Sequence, residues 1–297
     1  MSVEFVFLTD SHHYPDAPKD FGPPKMLTAS SQVLQAIIPA VNALNPQFIV
    51  HGGDIICGGG AFDMPRPTYL RALEETHTAF AGFNAPAYYI PGNHDCDSQE
   101  YCFDLFLEKF AAPQTLRVVK VTPRLHLALA NVYQEGWRDT GGHGIWNDQL
   151  DDQLQKAAQK AYTEGTAVLL MLHPWVLAGH KEDSGLLTNA TKLMSTITAH
   201  PAIVAVFTGH LHTNRIRFYR DILIVDTACL IGFPMGLRRI RLRDDGYMTT
   251  HFHTLDLPDL MQRSYQRSEP LQNERWQGEI HDRNTTVLLP RLRNLWR

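Results

Sequence analysis

The stretch Ala87-Tyr88-Tyr89-Ile90-Pro91-Gly92-Asn93-His94-Asp95 passes abruptly from an apolar run to three consecutive polar side chains. Ala87 to Ile90 reads as a β-strand, and a glycine permits a sharp turn after it while Asn93, His94 and Asp95 project beyond. A capped turn into the next helix is the plain alternative. Four other places repeat the arrangement of an apolar run followed by polar residues: Asp10-Ser11-His12, Gly53-Asp54, His173-Pro174 and Gly209-His210-Leu211-His212. Singly, each has an ordinary explanation. Asp-x-His arises by chance, Gly-Asp is usually a turn, and a lone histidine at a strand end is usually a core or edge residue. Five such motifs in order call for another reading. Ligands of open α/β sheets collect at the carboxyl ends of strands, so the five tips are expected to face one crevice.

The elements between the tips support an α/β fold. Strands are expected at Val3 to Leu8, Phe48 to Val50, Ala167 to Leu172 and Ile203 to Phe207. Val33, Ile37, Val41 and Leu44 mark one face of a helix over about Thr28 to Leu44, with Pro39 as a possible kink. Further helices are expected over Thr68 to Phe83, from a cap at Asp97 or Ser98 to Phe110, over Asp148 to Tyr162 and over Asn189 to Ala199. Two strands, Leu116 to Val121 and Leu125 to Ala130, lead into a long polar loop from Tyr133 to Trp146. Four runs after Arg215 (to Tyr219, Ile222 to Val225, Leu237 to Arg243 and Met248 to His253) read as a β-meander. The periodicity fades from Leu255 onward. This divides the chain into a catalytic domain, residues 1–254, and a C-terminal extension, residues 255–297, which serves as packing on the domain, a lid, or a contact with another subunit of a homo-oligomer.

Composition limits the partners. The formal charge of −4 over 297 residues leaves no basic face for extended nucleic acid. No apolar run approaches the roughly 18 to 20 residues that span a bilayer, so no membrane insertion is expected. Glu4 stands where a signal peptide would carry Lys or Arg. The four cysteines show no CxxC spacing, which fits a reducing cytoplasm.

Carboxylate and amide oxygens mixed with imidazole suit Mn, Fe, Zn or Co better than Ca or Mg, and the motifs contain no thiolate for a structural zinc. Two such ions sharing a carboxylate can clamp a phosphate and generate hydroxide at neutral pH. The ordered set D-x-H, GD, GNHD, H and GHxH, spread over about Val3 to His253, resembles the calcineurin-like metallophosphoesterase superfamily. The resemblance implies a four-layer fold, a two-sheet β-sandwich flanked by helices. It implies Asp10, His12 and His212 on one metal, Asn93, His173 and His210 on the other, and Asp54 bridging them. His94 is similar to the family's catalytic histidine, at the substrate phosphate, and Asp95 orients its loop. The implied activity is hydrolysis of a small phosphate ester with two transition-metal ions, Mn, Fe or Zn.

Asp54 is followed by Ile55, Ile56, Cys57 and Gly58, unlike the GDxxDRG of the protein Ser/Thr phosphatase branch. The chain is more similar to the bacterial branch of cyclic-nucleotide phosphodiesterases and glycerophosphodiesterases, which favours a diester. That branch often carries His-His-Pro where this chain has Leu172-His173-Pro174. The departure implies a one-residue shift or a looser second metal, with His180 as a secondary alternative. A phosphomonoesterase or nucleotide-diphosphate hydrolase can use the same core, and a non-catalytic metal-binding scaffold is the reading of another class. Arg138 and His143 of the polar loop, together with His13, are the candidate substrate contacts.

Overall fold

The first strand, β1 (Ser2–Leu8), is buried on both faces, which is why it reads as a continuous apolar run rather than an alternating one. Phe5 and Phe7 point to one side and Val6 and Leu8 to the other, into two separate hydrophobic clusters. The structure is a computed structural model that describes residues 2–22, 24–58, 62, 64–96, 102–133, 142–177 and 186–297.

In chain order, β1 is followed by α1 (Ser30–Ala43), β2 (Phe48–His51), α2 (Arg66–Phe80), β3 (Ala87–Tyr89) and α3 (Phe103–Lys109). The chain continues through β4 (Leu116–Thr122), β5 (Leu125–Ala130), α4 (Asp148–Thr163), β6 (Ala167–Met171), α5 (Ala190–Ala199) and β7 (Ile203–Thr208). β8 (Arg215–Tyr219), β9 (Ile222–Asp226), β10 (Gly236–Arg243) and β11 (Tyr247–Thr254) complete the part in which strands were expected. Two six-stranded sheets result. Their orders are β12-β11-β10-β1-β2-β3 and β4-β5-β6-β7-β9-β8, where β12 (Thr285–Leu288) comes from the last residues of the chain. The aromatic side chains of β1 and β2 fill the space between the sheets. Phe5 stacks on Phe48 at 4.9 Å and meets Phe207 of the opposite sheet edge-on at 5.7 Å. Helices cover the outer faces, with Val33, Ile37 and Val41 of α1 packed with Val6 and Leu8, and Leu150 and Leu154 of α4 packed with Val168 and Leu170. This is the expected two-sheet sandwich flanked by helices. Pro39 lies inside α1 on its exposed side, where water can satisfy the carbonyl group it frees.

The expected β-meander is corrected. β8 and β9 form a hairpin in one sheet, where β9 pairs in parallel with β7, whereas β10 and β11 form a hairpin in the other, where β10 pairs with β1. β9 is buried throughout and needs cover on both faces, which a central place beside β7 supplies. β10 alternates from Arg239 to Arg243 and can leave one face to water. The helix expected from Asp97 or Ser98 begins at Phe103, and both proposed caps lie outside the described residues.

Residues 255–297 form α6 (Pro258–Gln266), α7 (Pro270–Gln277), α8 (Ile280–Arg283), β12 and α9 (Pro290–Trp296). Leu289, Leu292 and Trp296 enter the core between the sheets. Arg238 of β10 ties this segment to the rest and is 0% exposed. Its guanidinium donates to Asp282 O (3.0 Å), Arg283 O (3.3 Å), Thr250 Oγ1 (3.1 Å), Thr227 Oγ1 (3.2 Å), Asn214 Oδ1 (2.9 Å) and Asp226 O (3.2 Å). Asn214 in turn donates its backbone N–H to Trp276 O at 3.0 Å and its amide to Gln277 O at 3.3 Å. Removing the cation strands several buried acceptors. Arg238→Met is therefore expected to cost ~3 kcal/mol or more, read as a lowered urea midpoint. A loss below ~1 kcal/mol, the worth of one ordinary hydrogen bond, would deny Arg238 the part of a brace. Among the described residues no helix is long and apolar enough to cross a membrane.

Candidate metal centre

β1, β2 and β3 run parallel in one sheet, as do β5, β6, β7 and β9 in the other, so the carboxyl ends of the central strands open toward the same end of the sandwich. Backbone bonds join neighbouring tips. Asp10 N–H donates to Gly53 O (3.0 Å), His12 N–H to Asp54 O (2.9 Å) and Gly209 N–H to His173 O (2.9 Å). The two sheets meet where His210 N–H donates to Asp10 Oδ2 at 3.0 Å.

The chain turns sharply at the tips of β1, β2 and β7. Asp10, His12, Asp54, His210 and His212 all have positive φ, from 44° to 71°. Side-chain residues in this left-handed region cost on the order of 1–3 kcal/mol each and persist where surrounding structure imposes them, commonly at functional sites. The glycines beside them have their own reason. At Gly53, with φ 97°, a Cβ would fall 2.7 Å from both His173 Nδ1 and Gly92 N. At Gly209 it would fall 2.7 Å from Asp10 Oδ2.

Three groups of side chains place their ligand atoms within 4.8 Å of one another: Asp10, His12 and His212; Asp54, His173 and His210; and His12, Asp54 and His94. In the first, His212 Nε2 lies 3.0 Å from Asp10 Oδ1 and 3.3 Å from His12 Nε2. In the second, His173 Nε2 lies 3.1 Å from Asp54 Oδ2. The same oxygen is 3.6 Å from His12 Nε2, so Asp54 stands between the groups. Asn93 Oδ1 and His173 Nε2 are buried without a hydrogen-bond partner. Buried acceptors that converge without donors fit a bound cation. Clustered imidazole and carboxylate suggest a dinuclear transition-metal site.

Neighbouring groups fix the ring orientations. His173 Nδ1 is 2.7 Å from Gly52 O, and a carbonyl only accepts, so Nδ1 carries a proton and Nε2 is the atom turned to Asp54. His94 Nδ1 makes the same bond to Gly58 O at 3.0 Å, and its backbone N–H donates to Asp54 Oδ1 at 2.8 Å. Asp95 turns away from the cluster. Its two oxygens accept from Ile56 N–H and Gly92 N–H, both at 2.8 Å, which locks the second and third motifs together.

Charge follows the same geometry. Burial raises the carboxyl of Asp10, but His212 and His173 outweigh it and hold the group well below the carboxylate range. Asp54 behaves alike, with burial opposed by His173 and His94. Burial lowers His173, yet Asp54 and Asp10 push it up to about 9. His212 rises to about 10 against burial, helped by Cys229 and Asp10. Cation binding at neutral pH must therefore displace protons from these two rings.

Some residues escaped the sequence reading. His51, the last residue of β2, donates from Nε2 to Ser11 Oγ at 3.0 Å, because that hydroxyl spends its own proton on Ile55 O. Thr9 Oγ1 donates to Asp10 Oδ2 at 2.6 Å. A histidine closing an otherwise apolar strand was the available signal for the first.

The proposed substrate contacts fare differently. His13 is corrected: it neither faces the cluster nor lies exposed, being 1% exposed with Nε2 2.8 Å from Glu75 of α2. The chain turns at His12, whose φ is 44°, and His13, bridged to Ile56, then directs its ring to α2. His143 is half-buried with Nδ1 2.8 Å from Leu186 O, and its neighbour Gly142 packs against the His210 ring. Arg138 and His180 lie outside the described residues.

The profile of the calcineurin-like phosphoesterase family matches residues 3–214, a span that holds every member of the three groups. Over 74% of its length the chain is 23% identical to the 3',5'-cyclic adenosine monophosphate phosphodiesterase CpdA of Escherichia coli, covering 80% of that protein. Over 63% of its length it is 26% identical to the glycerophosphodiester phosphodiesterase GpdQ of Enterobacter lignolyticus, covering 64% of that one. Among solved structures, a dimetal phosphatase from Danio rerio superposes with a TM-score of 0.73 over 97% of this chain and 99% of its own, at 13% identity, a likeness of fold.

Proposed function

Because the chain belongs to the calcineurin-like phosphoesterase family and is a metal-dependent phosphoric ester hydrolase, we propose that it cleaves a phosphodiester at two metal ions that share Asp54. The observation that carries this reading is the position of Asp54 Oδ2, between His12 Nε2 at 3.6 Å and His173 Nε2 at 3.1 Å. Asp10, His12 and His212 would hold the first ion, and Asn93, His173 and His210 the second. Mn, Fe or Zn suits this donor set. When bound, the pair supplies Lewis acidity and a water acidic enough to attack at neutral pH.

The protein's own groups do the rest. Asn93, His94 and His210 stand half-buried at the rim, while Asp10, His12, Asp54 and His173 are buried beneath them. A phosphate entering from the rim meets His94 first. With Nδ1 held by Gly58 O, only Nε2 of His94 can reach the ester. Burial pushes this ring down to about 4, with Lys25 adding to the effect against the pull of Asp54, so it is neutral until an anion arrives. An anionic phosphate raises its proton affinity, and the ring then stabilises negative charge on phosphate oxygens or protonates the leaving alkoxide.

The preference for a diester is supported by the names of the two bacterial relatives. Its test is a substrate panel on Mn-reconstituted protein, comparing cyclic AMP, a glycerophosphodiester, a nucleoside diphosphate and a monoester. The highest kcat/KM is expected for a diester. A preference for the monoester or the diphosphate would replace the diesterase reading, and full metal content with no turnover of any of the four would make the chain a binding scaffold.

A further inference from the structure

Phe62 stands beside His94, with Phe21 and Lys25 against it, and neither ring has a place in the chemistry described so far. Phe62, from the loop after β2, meets the His94 ring edge-on at 4.8 Å and the His12 ring at 6.4 Å. Phe21, from the loop after β1, meets Phe62 edge-on at 4.6 Å and is bridged through its backbone to Lys25. Lys25 Nζ sits 5.2 Å from the centre of the Phe62 ring. Among the described residues Lys25 has no acidic partner.

Packing alone does not account for this group. Phe21 is 39% exposed and Phe62 half-buried, so part of each ring is open to solvent beside a polar cluster. Such a surface suits a planar ring, since aromatic faces stack any base without needing a particular edge. A quaternary ammonium also favours aromatic faces, but Lys25 already places a positive charge over Phe62 and would repel it. A bare glycerol group gains little from either ring.

We propose that Phe21, Phe62 and Lys25 form a stacking wall that takes the nucleobase of a nucleotide phosphodiester whose phosphate lies at the cluster beside His94. This rests on the diesterase reading and narrows its substrate class from diesters in general to nucleotides.

The test measures kcat/KM of Mn-reconstituted wild type, Phe62→Ala, Phe62→Trp and Phe21→Ala on 3',5'-cyclic AMP and on glycerophosphoethanolamine. It also measures the affinities of AMP and glycerol 3-phosphate. Loss of a base-stacking ring lowers kcat/KM for cyclic AMP about 10- to 100-fold. Glycerophosphoethanolamine should be hydrolysed nearly as before, and Phe62→Trp should retain the nucleotide preference. Phe21 touches Phe62 but not His94, so its truncation separates stacking from mere support of the histidine. Equal falls on both substrates in Phe62→Ala, with no selective fall in Phe21→Ala, would overturn the wall. If wild type hydrolyses neither diester, the diesterase reading fails instead. The ratio of AMP to glycerol 3-phosphate affinity then decides the wall by itself: a ratio that collapses in both alanine variants upholds it, and one that does not refutes it.

Discussion

Asp54→Asn is expected to leave the purified protein with less than one equivalent of metal and to lower diester turnover by on the order of 10³-fold or more, since ~4 kcal/mol of metal-derived stabilisation corresponds to that factor. Asparagine keeps the shape of the side chain and can still accept from His94 N–H through Oδ1, so the loop should hold its place. What disappears is the negative charge that stands between both groups of imidazoles. His173, held up at about 9 chiefly by Asp54 against burial, loses its counter-charge. Metal analysis after dialysis checks the first part and a diester assay the second. Retention of one full equivalent would assign Asp54 to a single ion and end its role as the bridge.

His94→Ala should do the opposite: two metal equivalents remain while kcat falls ~10²- to 10⁴-fold, the usual worth of a positioned acid or base. The distinction matters because His94 also lies within ligand distance of His12 and Asp54. Metal lost along with activity would make it a ligand rather than a catalytic group, and a fully active variant would remove it from the mechanism altogether.

The tips of β1, β2, β3, β6 and β7 were legible for a physical reason. Strands buried on both faces, as β2, β6, β7 and most of β1 are, leave unbroken apolar runs, whereas β3, a half-buried edge strand, was marked by the polar residues after it. The same logic failed after Arg215. Local alternation cannot say that β9 belongs beside β7 while β10 crosses to β1, because that choice is made by burial across the whole sandwich. Arg238 could not be told from its neighbour Arg239 in sequence, although one is sealed inside and the other pairs with Glu4 at the surface. His13 was misjudged through its adjacency to His12, since the left-handed turn at His12 sends the next side chain toward α2. His51 was passed over because its partner, Ser11, is 40 residues away. Phe21 and Phe62 carried no motif at all, and only the meeting of two loops makes them a surface.

The anchoring of Asn214 to Trp276 and Gln277 has a consequence for how the protein is made. His210 and His212 are borne by the loop just before Asn214, which is held partly by Ala228 and Arg238 and partly by Trp276 and Gln277, more than 60 residues further on. A chain emerging from the ribosome displays Asp10, Asp54 and Asn93 early and His210 and His212 late. The α7 region supplies the last of these anchors, long after Asp10, Asp54 and Asn93 have been made.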